Sequence, residues 1–107
     1  MVYIAVTSWY PTDLVPDVVK VYLEMLQKYP PDPSLGEQVV PAAVRVSKDG
    51  VNTMGITKVI DGKFQEAFMR ISKGMAMFQS VKGFEYSVDV WSTIEEAMET
   101  IGRSMPG

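Results

Sequence analysis

From Val2 to Trp9 the chain alternates. Val2, Ile4 and Val6 point one way, and Tyr3, Ala5, Thr7 and Trp9 the other. A period of two over that length predicts a strand with one buried face. The period then changes. Beyond the turn and cap residues Pro11-Thr12-Asp13, Val15, Val18, Val19, Tyr22, Leu26 and Tyr29 recur at helical spacing until Pro30-Pro31 stops the helix. The Pro30 to Gly36 stretch reads as a connection. Val39 to Val46 is a second strand, and Pro41 within it predicts an edge position, because proline cannot donate to an inner ladder.

Ser47-Lys48-Asp49-Gly50-Val51 signals a hairpin. A two-residue Asp49-Gly50 turn would oppose Val46 to Thr53 and Arg45 to Met54. A three-residue Lys48-Asp49-Gly50 loop, with Gly50 left-handed, opposes Val44 to Met54 and Arg45 to Thr53. Only the second keeps one face apolar, so it is the expected register. The third strand runs to about Ile60 and turns at Asp61-Gly62. Phe64, Ala67, Phe68, Ile71, Met75 and Phe78 form a second helical stripe, which Gly83 terminates. Phe84 to Trp91 alternates again. Thr93-Ile94-Glu95-Glu96 matches a capping box and opens a short helix, with Ile94, Ala97, Met98 and Ile101 expected inward.

The order β-α-β-β-α-β plus a C-terminal helix predicts an α+β, ferredoxin-like sandwich: an antiparallel sheet in the order 4-1-3-2 with two helices on one face. One domain over residues 1–107 is expected. The helices would cover Val2, Ile4, Val6, Ala42, Val44, Val46, Met54, Ile56, Tyr86, Val88 and Val90. The open side would carry Tyr3, Ala5, Thr7, Trp9, Ala43, Arg45, Thr53, Gly55, Thr57, Glu85, Ser87, Asp89 and Trp91. Its centre would be small and hydroxylated, with aromatics and charges towards its ends and edges.

Composition narrows the chemistry. The 107 residues include no Cys and no His. Disulfides, thiolate zinc sites, Cys nucleophiles and Ser-His-Asp catalysis are therefore excluded, and acid–base work falls to carboxylates, Lys or Tyr. A formal net charge of −3 without any basic run argues against nucleic acid and anionic membranes as partners. The third strand offers no aromatic for RNA stacking, and the loop after the first strand lacks the Arg and Gly of a phosphate cradle. No segment reads as a signal peptide or a membrane span, so a cytoplasmic protein is the simplest expectation. No cofactor or metal site is expected.

The run Val59-Ile60-Asp61-Gly62-Lys63-Phe64-Gln65-Glu66-Ala67-Phe68, followed by Val81-Lys82-Gly83-Phe84 and a strand, resembles the dimeric α/β-barrel superfamily. The likeness covers the last half of the chain directly and the whole chain by element order. It implies a homodimer whose sheets face each other and enclose a cavity. Members include cofactor-free monooxygenases, muconolactone-type isomerases, haem-handling proteins and ligand-sensing regulators. Without His, the haem branch is disfavoured.

The expected ligand-binding set is Tyr3, Thr7, Trp9, Arg45, Thr53, Thr57, Glu85, Asp89 and Trp91, facing a small apolar or aromatic ligand. Glu85 and Asp89 are read as neighbours on one strand face, about 7 Å apart. One of them would serve as a base if desolvated, or both are solvated edge charges that discourage aggregation. Arg45 would clamp a carboxylate, or pair across an interface with Asp89 or Glu85 of another copy. Trp9 and Trp91 would stack a ligand or close the end of a dimer core. Met69, Ala76 and Met77 lie off the main stripe of the second helix and offer a surface for the C-terminal helix or a further subunit. Three functions stay open: a small-molecule-binding homodimer, a cofactor-independent monooxygenase- or isomerase-like enzyme, and an assembly or regulatory subunit.

Overall fold

The computed structural model describes residues 1–104 and 106. Among them four strands, β1 (Val2–Tyr10), β2 (Gly36–Ser47), β3 (Gly50–Val59) and β4 (Glu85–Ser92), form one sheet in the order β2-β3-β1-β4. All neighbouring pairs are antiparallel. Three α-helices, α1 (Val15–Lys28), α2 (Phe64–Ala76) and α3 (Ile94–Thr100), complete the fold. β2 lies at the edge, the place that Pro41 demands.

Both long helices lie on the same side of the sheet. Val18 and Val21 of α1 pack with Met75, Phe78 and Val81, closing over Val6, Tyr10, Tyr86 and Val88. A second cluster joins Ile4 and Val59 of the sheet to Ala67 of α2 and to Leu35, which comes from the loop before β2. That loop is a packed connection: the Ile60 amide donates to the Leu35 carbonyl at 2.9 Å. Phe84 ties the end of the core together, stacked on Phe78 with ring centroids 4.6 Å apart and on Tyr10 at 5.5 Å.

The β2–β3 hairpin departs from its expected register. Val44 opposes Thr53, Arg45 opposes Asn52, and Ser47 opposes Gly50. The Ser47 hydroxyl accepts from the Asp49 amide at 3.2 Å, which tightens the loop to Lys48-Asp49. Gly50 takes the positive φ expected of it, 114°, but does so inside the ladder. A Cβ there would stand 2.6 Å from the Tyr10 carbonyl oxygen, so only glycine can sit against the end of β1.

The register fixes which side β3 presents. Val51 and Val59 are buried at its two ends, and parity places Thr53, Gly55 and Thr57 with them, facing the helices. Met54 and Ile56 therefore face the open side, the reverse of the expected assignment. The short helix α3 carries its capping box as expected, with the Thr93 hydroxyl accepting from the Glu96 amide and the Glu96 carboxylate accepting from the Thr93 amide. Its expected inward face is largely outward, however: Ile94 and Ile101 are exposed and no residue of α3 is buried. Met69 and Ala76 of α2 are exposed as well, whereas Met77 packs against the first core cluster.

Candidate functional site

The strand registers set the open face out as rows running across the sheet. Arg45, Asn52, Trp9 and Glu85 share one row, and Ala43, Met54, Thr7 and Ser87 the next. Ile56, Ala5 and Asp89 follow, and then Glu37, Lys58, Tyr3 and Trp91. Seven of the nine expected ligand residues thus share this face: Tyr3, Thr7, Trp9, Arg45, Glu85, Asp89 and Trp91. Thr53 and Thr57 do not. They lie on the helix side, where the Thr53 hydroxyl is hydrogen-bonded to that of buried Ser8.

The side that β3 presents changes the character of the open face. Its centre is Met54, Ile56, Ala5 and Thr7, more apolar than the small hydroxylated centre expected. Trp9 and Trp91 are 46% and 60% exposed, and Met54 is exposed between them. Contiguous apolar surface of this kind, ringed by polar residues, is characteristic of interfaces.

The polar groups of this face pair locally, with strand neighbours. The Arg45 guanidinium donates to Asn52 Oδ1 at 3.1 Å, and Asn52 Nδ2 donates to the Ser8 carbonyl at 2.9 Å. Arg45 is thereby anchored to β1 across an intervening strand. Ser87 donates to the Asp89 carboxylate at 3.1 Å. Glu85 and Asp89 are four residues apart, so about 13 Å of strand separates them, twice the spacing of same-face neighbours. The residue between them on this face is Ser87. At that distance they cannot share a proton, and both are exposed. The two tryptophans are also far apart: Trp9 pairs with Glu85 and Trp91 with Tyr3, at opposite ends of the β1–β4 ladder. They cannot sandwich one ring within a single copy.

A second concavity lies on the opposite side of the sheet. The bulges of β2 between Gln38 and Ala43 bend that strand around Gly55, where a Cβ would stand 3.2 Å from the Pro41 carbonyl oxygen. Between this bent edge and α1 a groove of about 380 Å³ remains, lined by Val6, Tyr22, Met25, Leu26, Val44, Thr57 and Phe78 among others. Sequence reading missed it. Apolar periodicity locates a core face but not the distance between a helix and an edge strand. The one available signal was the excess of apolar side chains on α1 beyond its inward stripe. Tyr10 reaches this groove, and burial pushes its phenol above the ordinary value.

Among the described residues no group of three or more His, Cys, Asp or Glu stands ready to hold a metal ion. Among the described residues no helix is long and apolar enough to cross a membrane.

No protein-family model matches the chain, and no curated protein matches it. Among solved structures it is similar to one titled "De novo designed protein Foldit4", with a TM-score of 0.50 and 15% identity over 86% of this chain and 96% of that one. At that identity the likeness concerns the fold alone. The neighbour lends this chain no ligand or activity.

Proposed function

We propose that the chain is a self-associating domain of ferredoxin-like build whose open sheet faces meet in a homodimer, the arrangement implied by its resemblance to dimeric α/β barrels. The homodimer acts as a binding scaffold for a small molecule. The observation that carries this reading is the exposure of Trp9, Met54 and Trp91, with half-buried Ile56 among them, on the face opposite the two long helices. A sheet face of this composition is stable in water only at a cost that stacking against a like face removes.

Charge placement supports the same geometry. Arg45 and Glu85 stand at opposite edges of one row. For a two-fold axis between the sheets, along the strands and midway between β1 and β3, Arg45 of each copy faces Glu85 of the other. An isologous interface requires this self-complementarity. With Met54 and Ile56 at the centre, the facing sheets fill their interface more than they enclose a cavity. A bound small molecule is therefore better housed elsewhere.

Sedimentation velocity tests the reading. The wild-type chain is expected to sediment as a dimer at tens of micromolar, and Met54→Asp as a folded monomer with an unchanged circular dichroism spectrum. Arg45→Glu weakens the dimer, and adding Glu85→Arg restores it. A monomeric wild type, or a dimer indifferent to Met54→Asp, overturns the proposal.

A further inference from the structure

We infer that the groove between α1 and the bent edge of β2 is a binding site for an amphipathic monocarboxylate, a medium-chain fatty acid in chemical class. The inference does not rest on the homodimer, because the groove opens on the other side of the sheet.

Volume comes first. About 380 Å³ lies at the lower end of the range for small-molecule pockets, enough for a slender ligand. The walls are aliphatic and aromatic: Val6 and Val44 from the sheet, Tyr22, Met25 and Leu26 from α1. Val44 is 64% exposed although it points to the helix side, so the groove is open to solvent along the edge strand. Flexible Met25 and Leu26 adapt to an alkyl chain more readily than a rigid aromatic wall would.

Charge then selects the head group. Among the described residues lining the groove, a single side chain is charged, Arg70. Its position is prepared: one guanidinium nitrogen donates to the Pro30 carbonyl at 2.6 Å, and the group lies 5.7 Å from the centre of the Tyr29 ring. That leaves further N–H donors in the planar fork, the geometry that suits a carboxylate. The Asp32 carboxylate is close enough to feel the Arg70 charge. It accepts from the Ser34 hydroxyl at 2.6 Å and the Ser34 amide at 3.0 Å, and it forms no ion pair with Arg70 among the described residues. Gln38 and Thr57 stand beside the same end of the groove as additional polar partners. A cationic end and an apolar trough describe a monoanion with a hydrocarbon tail.

Titration calorimetry with amide chemical-shift mapping tests this, using decanoate as the probe, decanol as the neutral analogue and decyltrimethylammonium as the cationic one. Decanoate is expected to bind one per chain and to shift amides of α1 and β2. Decanol should bind roughly tenfold or more weakly, the factor carried by hydrogen bonds to a charged group, and the cation more weakly still. Arg70→Gln lowers decanoate affinity to that of decanol and leaves decanol unchanged. Val44→Glu weakens both ligands without unfolding the chain, since the residue is exposed. Shifts confined to the open face, equal affinity for decanoate and decanol, or no effect of Arg70→Gln overturns the assignment. Because sedimentation reads the homodimer separately, either proposal can fail while the other stands.

Discussion

The two faces of this sheet are made by the same strands, residue by residue in alternation, yet they behave as two materials. On the helix side Ile4 is 0% exposed and Val59 1%. On the open side Trp91 keeps most of its surface in water. The difference lies in what covers each face and not in the hydrophobicity of the strands. The covered face itself divides. Around Ile4, Val59, Ala67 and Leu35 it closes into a buried core, whereas between α1 and the edge of β2 a groove remains that reaches in to Val6, Tyr10 and Phe84. Stability therefore resides in one half of the covered face, and surface for binding in the other half and on the open face.

Paired truncations put this contrast to its hardest test. Ile4→Ala removes a fully buried side chain from the second core cluster and is expected to cost about 2–5 kcal/mol in urea denaturation. Trp91→Ala, a larger deletion by volume, is expected to change the stability of the single copy by only about 0.5 kcal/mol. Equal losses at the two positions would erase the distinction between the faces.

A smaller effect sharpens the boundary between them. Thr53→Val keeps the shape of the side chain but strands the hydroxyl of Ser8, which is 3% exposed. The expected loss is about 1–3 kcal/mol, and Ser8→Ala in the same chain should recover most of it. Were Thr53 on the open face, the substitution would be nearly neutral and no recovery would follow.

That test bears on the part of the fold hardest to read from the residues. In β1 and β4 one parity is apolar, and their faces are legible at once. In β3 the apolar residues Val51, Met54, Ile56 and Val59 fall on both parities, so the pattern by itself permits either side. The hairpin was meant to decide, and a loop one residue tighter than expected moved the register. What settles the side is the burial of Val51 and Val59 at the two ends, a tertiary fact. The helix stops at Pro30, the edge position of β2 and the capping box of α3 rest on local chemistry and were legible. The seven residues of the open face followed from β1, β2 and β4. The groove depends on how far α1 stands from β2, and no local pattern encodes that distance.

The smallest expected effect concerns α3, whose helix has no buried side chain to hold it. The Thr93 amide, donating to the Glu96 carboxylate, holds that carboxyl below the usual glutamate range, with further help from the N-terminal amine. A lowered folded-state pKa stabilises the helix above the ordinary glutamate value, and the contribution disappears as pH falls through the lowered one. Protection factors at α3, taken relative to the intrinsic exchange rate at each pH, should therefore fall below about pH 4 while those of β1 hold. Glu96→Gln should abolish the pH step. Uniform loss of protection across α3 and β1 would show that α3 is not an independent unit.

The decisive experiment on the open face is an isotope-filtered nuclear Overhauser measurement on a mixture of labelled and unlabelled chains, which records only contacts between copies. Contacts from the Met54 methyl and the Trp9 and Trp91 rings to the neighbouring copy are expected, with none from α1 or α2. Intermolecular contacts that arise from the helices instead, or none at concentrations where the chain is dimeric, would contradict the pairing of open faces.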